Sequence, residues 1–271
     1  SNYESLIHQV EAIPTYYNLF NEDNKFDISS FKTSCLDVLK HNNRLFVIIN
    51  DPCHNPTGYT LSKDELTEIV NFLNELGKNS PVILCMDIAY FDFCNLERSR
   101  LFFNLLNNLN NIFLPLICFS ASKTFSIYGL RLGALIGISQ NQEAIIDFEE
   151  SSLSVARAIW SCTNSHAIKA ITNILNDDEK RKSLLLELTK ERKMLQERGD
   201  LFVKMAKENN IITYPYYAGF FVTVIKDNSK KECEKLKEKG IYALPLKNKY
   251  IRIALSCISK KEVREIFSRI K

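Results

Sequence analysis

Along the first half of the chain, short apolar runs rich in β-branched residues alternate with amphipathic stretches. Leu45 to Ile49 predicts a buried strand, Val82 to Met86 a second, Ile112 to Phe119 a third that carries Pro115, and Leu132 to Ile138 a fourth. Ser62 with Glu65 three residues on is a capping box. It opens a helix whose Leu66, Ile69, Val70 and Leu73 share one face, and Gly77 suits its end. Leu101 to Leu109 predicts another helix. Strands alternating with helices predict an α/β domain on a largely parallel or mixed sheet.

Past about Gln140 the pattern changes. Helical periodicity dominates from Glu143 to roughly Asn209, interrupted by no Pro and only one Gly, Gly199. Two short strands follow, Ile211 to Tyr214 and Phe220 to Ile225, then a charged helix, a strand near Tyr250 to Leu255, and a final helix from Ser259. This predicts a smaller α+β domain at the C-terminal end, with the division placed near residue 185, giving units 1–185 and 186–271. No internal repeat is visible. The Asn-rich stretch Asn104 to Asn111 keeps apolar spacing and reads as compositional bias rather than disorder.

Composition narrows the function classes. The 271 residues are 45% hydrophobic and 25% charged, with a net charge of only +3, which argues against nucleic acid or an anionic membrane as the main partner. The densest basic segment, Lys230 to Lys239, is interleaved with Glu232, Glu234 and Glu238, as a solvated helix face would be. The eight cysteines form no CxxC pair and several lie in apolar runs, as expected of free thiols in a reducing compartment. The four histidines lack metal-ligand spacing, so no metal site is expected. No stretch reads as a signal peptide or a membrane span, and a cytoplasmic location is expected.

Candidate chemistry falls in four segments, three of them just after predicted strands, where open α/β sheets hold their ligands. Asn50-Asp51-Pro52-Cys53-His54-Asn55-Pro56-Thr57-Gly58 follows the first strand, and Asp87-Ile88-Ala89-Tyr90 the second. Ser120-Ala121-Ser122-Lys123 follows the third, with Tyr128-Gly129-Leu130-Arg131 behind it. The fourth is Arg252, amid the apolar Tyr250-Ile251-Arg252-Ile253-Ala254. Each has an ordinary structural explanation alone: a Pro/Gly turn, a cap, a surface lysine, an ion pair. Together they offer an amine able to form an imine, hydroxyls and a guanidinium able to hold a phosphate, and a second guanidinium able to clamp a carboxylate.

In this order the segments resemble the class I/II aminotransferase family, in its aspartate and aromatic aminotransferase branch. The matching features are NPTG, DxAY, SxSK, an Arg eight residues past the Lys, and an Arg near the C-terminus. Asp87 lies 36 residues before Lys123 and Arg252 129 residues after it, as in that branch. The resemblance covers essentially the whole chain. It implies a pyridoxal-phosphate (PLP)-transferase-like large domain, its mostly parallel sheet flanked by helices, beside the smaller α+β domain. It implies that Lys123 forms the imine link with pyridoxal 5'-phosphate and that Asp87 pairs with the ring nitrogen. Tyr90 and Asn55 would bond the phenolic oxygen. Ser120, Ser122 and Arg131 would hold the phosphate, and Arg252 the substrate α-carboxylate, with Asn55 beside it. Transamination between an amino acid and a 2-oxo acid follows.

Ala156-Arg157-Ala158-Ile159-Trp160-Ser161 resembles the family segment whose Arg crosses a dimer interface to the substrate side chain. Arg157 in that role implies a homodimer with shared sites and a dicarboxylic substrate such as aspartate or glutamate. Aromatic aminotransferases of the same branch keep this Arg, so aromatic substrates remain open. Cys162 and Thr163-Asn164 stand where the family has Asn and Pro-Pro. Gly219-Phe220-Phe221 resembles the family's substrate-side strand, and an apolar core strand reads the same. Ser1-Asn2-Tyr3 resembles the segment just after the family's ring-stacking aromatic, so the expectation is a chain lacking the family's N-terminal part. Two alternatives stand beside the aminotransferase: a lyase or decarboxylase on the same fold, and a truncated homologue without catalysis.

Overall fold

Three of the four expected strands of the first sheet lie parallel in the computed structural model, which describes residues 2–107 and 109–270. The order is β1 (Leu45–Asn50), β2 (Val82–Asp87), β3 (Phe113–Ser120) and β4 (Gly133–Gly137), with β4 antiparallel to β3. Leu45, Val47 and Ile49 of β1, with Val82, Leu84 and Met86 of β2, point into one apolar core, as period-two alternation requires. Pro115 is accommodated in β3, and its carbonyl accepts from the Ile138 amide at 3.0 Å.

Helices α2 (Ile28–His41) and α3 (Lys63–Leu76) contribute buried residues to that core. The capping box at α3 is formed as expected. Ser62 Oγ accepts from the Glu65 amide at 3.2 Å and the Glu65 carboxylate accepts from the Ser62 amide at 2.7 Å. Leu66, Ile69, Val70 and Leu73 are all buried, each burial favouring the fold by roughly 1.5–3 kcal/mol before entropy is subtracted. An N-terminal helix α1 (Asn2–Gln9) and a helix α4 (Leu96–Asn104) complete this part.

The helix expected at Leu101 to Leu109 instead begins at Leu96, because Asn95 caps it by accepting from the Glu97 amide at 2.9 Å. It ends at Asn104. Beyond it, Asn110 turns its amide groups to Asn74, bonding Asn74 Oδ1 at 2.7 Å, the competition with helix that Asn side chains offer. Asn108 lies outside the described residues, as does Ser1.

A four-residue helix α5 (Ala121–Thr124) follows β3, and three longer helices, α6 (Gln142–Ile159), α7 (Ser165–Leu175) and α8 (Asp178–Glu208), follow β4. The position near residue 185 falls inside α8, one unbroken helix of 31 residues. A second sheet, in the order β5-β7-β6, is antiparallel: β5 (Phe221–Ile225), β6 (Leu244–Leu246) and β7 (Tyr250–Ala254). Helices α9 (Ser229–Glu238) and α10 (Lys260–Ile270) flank it. Ile211 to Tyr214 does not form the expected strand. Only a single bridge, Thr213 to Val224, joins it to β5, and Pro215 lacks the amide that a longer ladder needs.

The second core ties the two sheets together. Cys53, Tyr90, Phe93 and Cys94, from loops after β1 and β2, are buried with Leu195 and Phe202 of α8 and with Val222, Ile251, Ile253 and Phe267. Gly58 sits in this junction at φ +74°, and a Cβ there would meet Tyr216 Cδ2 at 2.3 Å and the Phe221 carbonyl at 2.6 Å. No helix among the described residues is long and apolar enough to cross a membrane, and none of their His, Cys, Asp or Glu groups cluster to hold a metal ion.

Candidate active site

Because β1, β2 and β3 run parallel, their C-terminal ends open on one edge, and Asn50, Asp87 and Ser120 stand at those ends. Asn50 pairs in register with Asp87, its side-chain amide donates to the Asp87 carbonyl at 3.0 Å, and its Oδ1 accepts from the Asn55 amide at 2.7 Å. The Asn-Pro-Thr-Gly loop is thereby held against β2. Its far end is held to the second sheet: Thr223 Oγ1 donates to the Pro56 carbonyl at 2.8 Å, and the Tyr217 and Ala218 amides both donate to the Gly58 carbonyl.

Asp87 Oδ1 accepts from the Ala89 amide at 3.0 Å, and Oδ2 accepts from the Tyr3 hydroxyl. Tyr90 is buried, with its ring centroid 5.2 Å from that of Phe220. Burial first, and then the nearby Asp87 charge, push the Tyr90 hydroxyl up to about 12; Arg252 and a hydrogen bond with Asn55 act against this.

Lys123 follows β3 on α5, half-buried, with Nζ 4.4 Å from the Tyr128 ring centroid and 6.0 Å from that of Tyr90. Its ammonium is held below the ordinary lysine range, chiefly by burial and further by the positive charge of Arg131. Arg131 Nη1 donates to the Tyr128 carbonyl at 2.8 Å and reaches Ser122 Oγ at 3.5 Å. Ser122 is buried and Ser120 half-buried, and the Ser120 side chain makes no capping bond to α5. A guanidinium and two hydroxyls with spare hydrogen-bonding capacity therefore lie within a dozen residues of an activated amine.

From the second sheet, Arg252 of β7 donates through Nη1 to Asn55 Oδ1 at 3.0 Å and packs 4.4 Å from the Phe221 ring centroid. Eight of the nine expected site residues are thus gathered around the ends of β1, β2 and β3. The ninth, Arg157, is exposed on α6 and makes no hydrogen bond or ion pair among the described residues. Sequence reasoning gave no role to Tyr3, which reaches Asp87 across 84 residues, or to Tyr128, whose ring lies under both Lys123 and Arg131. The Ser1-Asn2-Tyr3 resemblance gave Tyr3 no partner; Tyr128 stood in the right segment, and its contacts appear only in three dimensions.

Residues 1–270 match the family model of aminotransferase class I and II. The chain belongs to that family. Among relatives of this aminotransferase family member, the aromatic-amino-acid aminotransferase of Pseudomonas aeruginosa is 28% identical over 65% of this chain and 42% of its own length. The aspartate aminotransferase of Haemophilus influenzae is 28% identical over 60% of this chain and 40% of its own. The chain spans about two fifths of the length of these curated relatives. An aminotransferase structure from Anaerococcus prevotii superposes with a TM-score of 0.95 at 32% identity, covering 100% of this chain and 66% of that one. The aromatic-amino-acid aminotransferase of Burkholderia pseudomallei, covalently bound to pyridoxal phosphate, superposes with a TM-score of 0.76 at 22% identity, covering 100% and 67%, and shares the α/β fold.

Proposed function

We propose that the protein is a pyridoxal-phosphate-dependent aminotransferase, moving an amino group between an amino acid and a 2-oxo acid. The observation that carries this is the meeting of Lys123, Asp87, Tyr90 and Arg252, drawn from two sheets, at the C-terminal edge of parallel strands. The donor set fits the cofactor. Lys123 offers an amine whose proton is held loosely, Asp87 keeps acceptor capacity on both oxygens, and Arg131 with Ser122 and Ser120 offers donors suited to a phosphate. When bound, pyridoxal phosphate supplies an aldehyde carbon for linkage to amines and a protonated ring that withdraws electrons from the substrate α-carbon.

The chain's own residues would do the rest. Lys123 Nζ would accept the substrate's α-proton as general base and return it as general acid. Asp87 would pair with the ring nitrogen and keep it protonated. Tyr90 and Asn55 would bond the phenolic oxygen, and Arg252 would present a planar fork of N–H groups to the α-carboxylate. One face of Arg252 is already fixed by Asn55 and the Phe221 ring, which orients the fork before substrate arrives.

For the substrate side chain we infer a dicarboxylate or an aromatic group, and for the assembly a homodimer in which Arg157 serves the neighbouring site. Support comes from the exposure of Arg157 together with the exposed apolar Leu153, Val155, Ile159 and Trp160 on and just after the same helix. The eight free thiols support a reducing, cytoplasmic setting. Borohydride reduction of the protein with pyridoxal phosphate, followed by peptide mapping, tests the core of the proposal. A pyridoxyl group on Lys123 is the expected result; labelling scattered over surface lysines would refute it. Product analysis then separates transamination, which conserves the amino group, from lyase chemistry, which releases ammonia or carbon dioxide.

A further inference from the structure

Lys123 stands on a helix too short to hold itself. α5 has four residues, Ala121–Thr124, and Ser120 gives it no side-chain cap. Its start is fixed by β3 and by the Ala121 amide, which donates to the Leu132 carbonyl at 3.1 Å. Its end is fixed by a side chain: buried Thr124 donates through Oγ1 to Asp92 Oδ2 at 2.7 Å. We propose that Asp92 is a positioning residue for Lys123, its carboxylate holding the Thr124 hydroxyl and so the turn that carries the lysine. This rests on the reading of Lys123 as the functional amine given above.

Asp92 is suited to be an anchor. It lies in a single 3-10 turn, Phe91–Phe93, just past Tyr90. Its carbonyl accepts from Arg192 Nε of α8 at 2.9 Å, a bond across 100 residues. The next residue, Phe93, is buried, with its ring centroid 4.6 Å from that of Phe220. Asp92 is thus fixed by the long helix and by the second core, and it passes that fixity to Thr124. A hydroxyl bonded to a carboxylate is held more strongly than one bonded to a neutral group. By comparison, the link from Arg131 Nη1 to Ser122 Oγ on the same turn spans 3.5 Å. Lys123 precedes Thr124 directly, and its Nζ lies against the Tyr128 and Tyr90 rings with Arg131 nearby. A turn released at Thr124 could rotate, changing both the burial of the amine and its distance from Arg131. Those are the two influences that hold the ammonium below its ordinary range.

The pH midpoint of Lys123 modification by trinitrobenzenesulfonate, read by peptide mapping on the intact protein without added cofactor, tests this. Thr124→Val removes the donor at nearly constant shape, and Asp92→Ala removes the acceptor. Thr124→Ser and Asp92→Asn keep a hydroxyl and an acceptor oxygen in place. An amine freed from its half-buried position gains water, so the midpoint should rise by about half a unit or more in Thr124→Val and Asp92→Ala. The two conservative variants should stay within about 0.2 of the parent. If Thr124→Val does not fold, Asp92→Ala, at a half-buried position, carries the same expectation. A stationary midpoint where the bond is lost would mean that Asp92 and Thr124 merely support the fold, and would overturn the inference. A fall in Asp92→Asn would also overturn it, because Asp92 would then act on the ammonium as a charge and not through Thr124. Borohydride mapping of the parent is read separately. A parent that links no pyridoxal phosphate to Lys123 refutes the cofactor reading, whereas a stationary midpoint refutes the tether.

Discussion

Arg252 Nη1 donates to Asn55 Oδ1 at 3.0 Å, joining two residues 197 positions apart in the chain. Asn55 also bonds the Tyr90 hydroxyl, so one amide links the Arg252 guanidinium to the Tyr90 phenol. Arg252→Lys keeps the charge but loses the planar fork. It should lower kcat/KM for amino acids by roughly 10- to 100-fold. Asn55→Ala should give a smaller loss, seen mainly in KM. Steady-state kinetics decide, and an Arg252→Lys enzyme with unaltered constants would remove Arg252 from substrate binding.

Gly58 is where the loop after β1 meets the second sheet. Its positive φ and the close approach of Tyr216 and the Phe221 carbonyl leave no space for a methyl group. Gly58→Ala should cost more than about 2 kcal/mol of stability, whereas Gly129→Ala, with nothing within 4 Å of the added atom, should stay within about 0.5 kcal/mol of the parent. Urea unfolding midpoints measure both. Equal midpoints for the two variants would show that the junction yields.

The Lys123 amine is depressed by burial first and by Arg131 second. Arg131→Gln removes the like charge, so the midpoint for Lys123 should rise while remaining below that of a free lysine. The pH dependence of Lys123 modification by trinitrobenzenesulfonate, followed by peptide mapping, reports it. A midpoint that stays put or falls would mean that the guanidinium is screened from Nζ.

Asp51 is buried, its Oδ1 accepts from the Leu61 amide at 2.7 Å, and burial pushes it up to about 7 from an ordinary 3.8. Between these values the folded state holds more protons than the unfolded chain, so this group makes stability fall as pH rises from about 4 to 7. His54 acts the other way. Desolvation holds it down to about 4 from 6.5, so its contribution rises with pH across about 4 to 6.5. Asp51→Asn keeps the acceptor oxygen and removes the charge. It should be more stable than the parent at pH 8 and nearly equal at pH 4, as read by urea unfolding at the two pH values. A larger gain at the acid end would reverse the assigned direction.

The strands that carry the site were readable from sequence because they are buried on the core face and end in Asn, Asp and Ser before sharp turns. The α3 capping box was readable because both partners lie within four residues. Helix α2 was not. Its buried positions Phe31 and Cys35 are few and stand among Ser, Thr and Lys, so the helical period is faint. β6 has only three residues, too short for alternation to show. At the site, order and spacing pointed to Lys123, Asp87 and Arg252, and the fold brings the segments that carry them to one edge. The bond from Tyr3 to Asp87 and the stacking of Tyr128 under two cations depend on chain segments brought together only by folding, and no local pattern encodes them.

The loop from Asn50 to Gly58 is fastened at one end to Asp87 on the first sheet and at the other to β5 on the second. Mechanically, it is a strap between two plates. Arg252 rides on one plate and Asp87 on the other, and Asn55 sits mid-strap, bonded to Arg252. Asn55 is bonded at once to Asn50 on the first plate and to Arg252 on the second, so a swing of the second sheet would load the strap at this residue. The two sheets are thus coupled through nine residues of backbone as well as through their shared core.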